Sequence, residues 1–78
     1  MSQDGTRQEY YSPRCAGVII RLLAEFDRRL LSPEIERAMR VRGWTWPSRV
    51  VIDTLRRMRA EKKITLGHDC QGTGYGLV

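Results

Sequence analysis

Long apolar runs, cysteine and histidine are all scarce in this chain. Its 78 residues include two cysteines and one histidine, and no segment approaches the roughly 18 consecutive apolar residues of a membrane-spanning helix. The polar start from Met1 to Arg7 lacks the apolar stretch of a signal peptide. We therefore expect a cytoplasmic protein that is neither exported nor bound to a membrane.

The same scarcity limits the chemistry of the chain. Cys15 and Cys70 lie far apart with no second pair, which predicts reduced thiols and no disulfide framework. One histidine and two distant cysteines cannot complete a zinc site within one chain. His68, Asp69 and Cys70 form the only cluster of catalytic residue types. Their adjacency in the sequence does not place a nucleophile beside its base. We therefore expect that this chain has no enzymatic activity and binds neither a metal ion nor a cofactor.

Basic residues outnumber acidic ones by fourteen to nine, giving a net charge of +5, and twelve of the fourteen are arginines. The planar guanidinium group matches phosphate oxygens and guanine edges with two hydrogen bonds at once. The composition therefore favours a polyanionic partner. The alternative is that the charge only keeps a small protein soluble.

All three prolines stand where helices would begin, because proline suits the first turn of a helix and disrupts later ones. Ser12 and Ser32 each precede a proline and are predicted to cap the first two helices. The pattern predicts a flexible tail over 1–11, followed by helices over about 12–28, 32–42 and 46–61.

Apolar residues recur along each predicted helix at spacings of three and four, which gives each helix one face toward a shared core. The predicted core faces are Cys15, Ile19, Leu22, Leu23 and Phe26 on the first helix, Ile35, Ala38 and Met39 on the second, and Val51, Leu55 and Met58 on the third.

The pattern then changes to alternation of period two, which predicts a β-hairpin over about 63–78 with its turn at 69–72. Leu30 and Leu31 are candidates for a short third strand, since an isolated hairpin is marginal in water. Gly72, Gly74 and Gly76 lack the context and lysine of a phosphate-binding loop, and a glycine face on a small strand explains them. The predicted fold class is mainly α with a small hairpin (α+β).

The order of elements and several residues resemble the winged-helix variant of the helix-turn-helix, as in small bacterial and phage regulators. The segment 32–39, Ser-Pro-Glu-Ile-Glu-Arg-Ala-Met, is similar to the S-x-x-E-I-A-x-A-L pattern of that family's second helix, allowing a shift of one residue. The resemblance covers about residues 12–78. It also includes the spacing of recognition-helix core residues leading into the first wing strand, here Val51, Leu55, Met58 and Ile64.

The resemblance implies double-stranded DNA binding, with the third helix in the major groove, by a transcriptional regulator or an accessory protein of a phage or mobile element. Such a protein would be associated with the nucleoid and would pair as a homodimer on two half-sites. The candidate base contacts are Ser48, Arg49 and Asp53, and the candidate phosphate contacts are Arg40, Arg42, Arg56, Arg57 and Lys63. Asp53 either orients Arg49 or forms surface ion pairs with Arg49 and Arg56.

The alternative is a winged-helix module that binds a protein, as an inhibitor or an adaptor. The wing from Ile64 onward carries no lysine or arginine, and Asp53 would repel phosphate. The candidate partner surface includes the wing and four apolar residues, Trp44, Trp46, Val50 and Ile52. The competing explanation is that the tryptophans cover the small core.

Overall fold

The computed structural model describes residues 10–78, and residues 1–9 of the predicted tail over 1–11 lie outside them. Three helices precede two antiparallel strands: α1 (Pro13–Phe26), α2 (Ser32–Val41), α3 (Ser48–Ala60), β1 (Ile64–Asp69) and β2 (Gly72–Leu77). The predicted α+β class is confirmed, and the layout is consistent with a winged helix. None of the described helices is long and apolar enough to cross a membrane.

A proline lies at the start of each helix, as predicted, but one of the two predicted N-caps is shifted by one residue. Ser12 caps α1 as expected, since its hydroxyl accepts the N–H of Cys15 at 3.2 Å. In α2 the predicted cap, Ser32, is already helical, and Leu31 occupies the N-cap. The carbonyl of Leu31 accepts the first helical hydrogen bond, and the Glu34 carboxylate accepts the N–H of Leu31 at 2.8 Å. A glutamate reaching back thus takes the place of a capping hydroxyl.

The core forms where the three helices meet, and the predicted faces of α2 and α3 are buried in it. The face of α1 is also buried, except at its last residue. Phe26 was expected in the core, but it is 37% exposed. The reason is that α1 ends there: Asp27 takes a left-handed conformation with φ of 53°. The ring of Phe26 instead lies beneath the guanidinium groups of Arg28 and Arg42.

The hairpin has the predicted position and a two-residue turn at 70–71. Ile64 is fully buried, whereas Leu66 and Leu77 are nearly half exposed. The third strand is reduced to a single bridge in which Leu30 and Tyr75 exchange backbone hydrogen bonds of 3.0 and 2.7 Å. This bridge holds the hairpin against the connection between α1 and α2.

One face of the hairpin is made of glycines because another part of the backbone and an arginine lie directly on it. A Cβ atom on Gly74 would lie 2.4 Å from the carbonyl oxygen of Leu30. The Arg29 guanidinium crosses the same face, donates to the carbonyls of Thr65 and Gly74, and forms a 3.0 Å ion pair with Asp69. Packing against Leu30 and Arg29 therefore accounts for Gly74 and Gly76, whereas Gly72 faces open space with a φ of 109°. The sequence did not single out Arg29.

Candidate nucleic-acid interface

The solvent-facing side of α3 is the centre of the candidate interface. Val51, Thr54, Leu55 and Met58 fix the orientation of this helix, because all four are buried against the rest of the domain. The opposite side therefore faces solvent. It presents Arg49, Ile52, Arg56, Arg59 and Ala60, all of which are exposed.

Positive charge is concentrated on α3 and the turn that follows it. Residues 48–63 hold six basic and two acidic side chains, a net charge of +4 within a chain whose total is +5. In contrast, residues 64–78, which form the hairpin, hold one acidic side chain and no lysine or arginine. A polyanion approaching this domain is therefore attracted to residues 48–63, which carry +4, and also to residues 28–47, which carry +3, but not to the hairpin.

The two acidic side chains of this region are already paired. The Asp53 carboxylate accepts the N–H of Tyr10 at 3.1 Å and lies 3.7 Å from Arg56. Glu61 contacts Arg57 at 3.1 Å and Lys63 at 3.2 Å. Hydrogen bonds from Arg57 and Lys63 lower the pKa of Glu61. Both pairings reduce the repulsion that these carboxylates would exert on a phosphate.

Three basic side chains near this surface make no ion pair within the described part of the chain. Arg59 lies on α3, Lys62 lies in the turn after it, and Arg40 lies near the end of α2. Arg40 also lines a small cleft together with Trp44 and Trp46. These cations are available to a phosphate without breaking a contact inside the domain.

Ser48 and Arg49, the other two predicted base contacts, also have partners. The Ser48 hydroxyl donates to the Glu36 carboxylate at 2.7 Å, which ties the start of α3 to α2. The Arg49 guanidinium lies 4.9 Å from the centre of the Tyr10 ring and donates to the Tyr10 hydroxyl at 3.2 Å. Both side chains remain at the solvent-facing end of α3, where a base contact would require them.

The residues just before α1 run along one side of α3. The N–H of Ser12 donates to the Thr54 hydroxyl at 3.2 Å, and the guanidinium of Arg57 lies 4.5 Å from the centre of the Tyr11 ring. The sequence did not indicate where Tyr10 and Tyr11 would lie. The buried Thr54 is the missed signal, since a polar residue on a core face needs a partner.

Arg42, a predicted phosphate contact, lies away from α3. It forms a 3.1 Å ion pair with Glu25 and covers the Phe26 ring at 5.3 Å from its centre. Among the other predicted phosphate contacts, Arg56, Arg57 and Lys63 lie on α3 or directly after it. The structure thus brings these three together and separates Arg42 from them.

The predicted partner surface is mostly used inside the domain. Trp44, Trp46 and Val50 are partly buried and pack against the core. Ile52 alone among the four is strongly exposed, at 44%. In the wing, His68 forms a hydrogen bond with Thr73, directly across the hairpin.

No protein-family model, curated protein or solved structure matches this chain. Its functional interpretation therefore depends on the residues and contacts described above. Within residues 10–78, no group of three or more histidine, cysteine, aspartate or glutamate side chains is placed to hold a metal ion.

Proposed function

We propose that this protein binds double-stranded DNA with α3 in the major groove, as a small transcriptional regulator or an accessory protein of a phage or mobile element. The observation that carries the proposal is the concentration of net positive charge on residues 48–63, with Asp53 and Glu61 both paired. An α-helix with its side chains is about 10–12 Å wide, which fits a major groove about 12 Å wide.

In this arrangement Arg59, Lys62 and Arg40 contact phosphates, together with Arg56 and Lys63. Arg49 reads a base edge, most favourably the two acceptors of guanine, after leaving the Tyr10 ring. Ser48 and Asp53 are the other two candidate base contacts, beside Arg49. One domain of this size makes few base contacts, so two copies would bind half-sites about one helical turn apart.

The alternative, a protein-binding module that uses the tryptophan region and the wing, has less support. Trp44, Trp46 and Val50 pack against the core, which leaves Ile52 as the exposed member of that set. Half-exposed apolar side chains such as Ile52, and Leu66 and Leu77 in the wing, are ordinary on a protein surface.

Fluorescence anisotropy with a labelled random 20-base-pair duplex tests the proposal. The variant Arg56→Ala/Arg59→Ala removes two cations from α3. The matched control Arg14→Ala/Arg21→Ala removes the same charge from exposed positions of α1. We expect binding that weakens steeply with salt, and at least a ten-fold loss in the α3 variant against less than three-fold in the control. No binding at low salt, or equal losses in both variants, would contradict the proposal.

A further inference from the structure

A groove lies between the end of α1 and the outer side of α2, and no residue of α3 lines it. Its volume is about 580 Å³, within the range of pockets that hold small ligands or a few side chains. The residues that define it are Phe26, Arg28, Arg37, Arg40, Val41 and Arg42.

The groove offers apolar surface that the domain itself does not cover. Val41 is 77% exposed and Phe26 is 37% exposed, although both are large apolar side chains. Their exposure has a cost in water that burial against a partner would remove. Phe26, whose ring also contacts the guanidinium groups of Arg28 and Arg42, therefore forms a partly exposed apolar floor, and Val41 forms an apolar side wall.

The rim of the groove is strongly basic. Four arginines surround it, and Glu34 is the one acidic side chain among its lining residues. Arg28 pairs with Glu34 at 3.4 Å and Arg42 pairs with Glu25 at 3.1 Å. Arg37 and Arg40 make no ion pair with any described residue, so the rim keeps unneutralised positive charge.

We propose that this groove binds an acidic segment of a partner protein, with an apolar side chain seated between Phe26 and Val41 and carboxylates on Arg37 and Arg40. Charge complementarity and the exposed apolar floor together define this partner. A DNA duplex presents phosphates and sugars on a convex surface and has no apolar side chain to fill the floor. No residue of α3 lines the groove, but Arg40 lines it and is also a proposed phosphate contact, so the partner and DNA share this one side chain.

The probe is a fluorescein-labelled 12-residue peptide of glutamate and leucine, with leucine at helical spacings of three and four. A matched peptide has serine in place of every leucine. We expect the leucine peptide to bind the full chain with a Kd below ~1 mM at physiological salt, and the serine peptide to bind at least five-fold more weakly.

Two substitutions with the same charge change locate the site. Val41→Asp introduces a carboxylate in the groove, and Ile52→Asp introduces one at a half-exposed apolar position of α3. We expect Val41→Asp to weaken peptide binding at least ten-fold and Ile52→Asp to change it less than two-fold. Circular dichroism checks that both variants keep the fold. Arg37→Ala, at an exposed position, tests independently whether the basic rim contributes to peptide binding.

Three results would overturn the proposal: no binding of the leucine peptide up to ~1 mM, equal binding of the serine peptide, or a loss confined to Ile52→Asp. The second would indicate a general polyanion surface, including one for DNA, and the third would move the partner to α3. Binding of the 20-base-pair duplex by Val41→Asp, measured in parallel, keeps failure here distinct from failure of the DNA proposal.

Discussion

The guanidinium group of Arg49 lies over the ring of Tyr10, 4.9 Å from its centre, and donates to the Tyr10 hydroxyl. The same tyrosine donates its backbone N–H to Asp53, one turn further along α3. The segment before α1 therefore holds the arginine that is best placed to read a base. In the proposed function Arg49 must leave this ring before it reaches DNA.

Removing the Tyr10 ring should tighten DNA binding. Tyr10→Ala abolishes the stacking and the hydroxyl bond, so the binding-competent position of Arg49 is no longer in competition with the ring. We expect the affinity for the 20-base-pair duplex to rise two- to four-fold by fluorescence anisotropy. Tyr10→Phe, which keeps the ring, should show a smaller gain, and a loss of affinity in Tyr10→Ala would mean that Tyr10 itself contacts DNA.

The carboxylate of Glu36 should oppose DNA binding, because it lies 2.7 Å from the Ser48 hydroxyl at the start of α3. Glu36→Gln keeps a hydrogen-bond acceptor for Ser48 and removes the negative charge. We expect affinity for the duplex to increase about two- to five-fold at low salt, with a smaller gain at physiological salt because of screening. Glu25→Gln, which removes the same charge at the far end of α1, should change it less than two-fold. Equal effects of both changes would count against contact at α3.

Gly74 is required by the approach of the Leu30 backbone to the hairpin. Its φ of 132° disfavours any side chain, and a Cβ atom would clash with the Leu30 carbonyl. We expect Gly74→Ala to lower the free energy of unfolding by at least ~2 kcal/mol. Gly17→Ala is the matched control, because a Cβ atom added to Gly17 inside α1 would meet no other part of the described chain within 4 Å. We expect Gly17→Ala to stabilise the fold by ~0.5–1 kcal/mol. Urea denaturation followed by tryptophan fluorescence measures both, and a tolerated Gly74→Ala would refute the packing described here.

Acid should destabilise the fold partly through Glu34. The N–H of Leu31, and then the positive charge of Arg28, lower the pKa of this carboxyl below its ordinary value near 4.5. A lowered pKa in the folded state means that the ionised group contributes stability above pH ~4.5, and that this contribution is lost as the pH falls through the lowered value.

Glu34→Gln keeps the acceptor for Leu31 but cannot ionise. Its free energy of unfolding should therefore fall less than that of the wild type between pH 6 and pH 3, although Asp69 and Glu61, whose pKa values are also lowered, still titrate. Urea denaturation at the two pH values gives this comparison. An identical loss in both proteins would show that the Glu34 carboxylate adds no stability.

The sequence predicts the helices and hairpin well because local rules decide them. Proline positions mark the three helix starts, and spacings of three and four identify the buried faces of α2 and α3. Phe26 was placed wrongly because the same spacing continues to a residue where the helix ends, and spacing alone does not show that Asp27 turns the chain.

The candidate site is less predictable because its contacts join distant parts of the chain. Tyr10 and Arg49 are separated by 39 residues, and Arg29 reaches Gly74 across 45. No local pattern encodes either pairing. Arg42 shows the same difficulty: the sequence places it beside the predicted DNA-binding helices, whereas its side chain turns toward Glu25 and Phe26.

The most direct test of DNA binding through α3 is a ¹⁵N–¹H correlation spectrum of the labelled protein, recorded while the 20-base-pair duplex is added. We expect the largest shifts at residues 48–63, smaller changes at Arg40, and little change on the hairpin or at Val41. Shifts absent at low salt, or concentrated on the hairpin or in the groove between α1 and α2, would contradict DNA binding through α3.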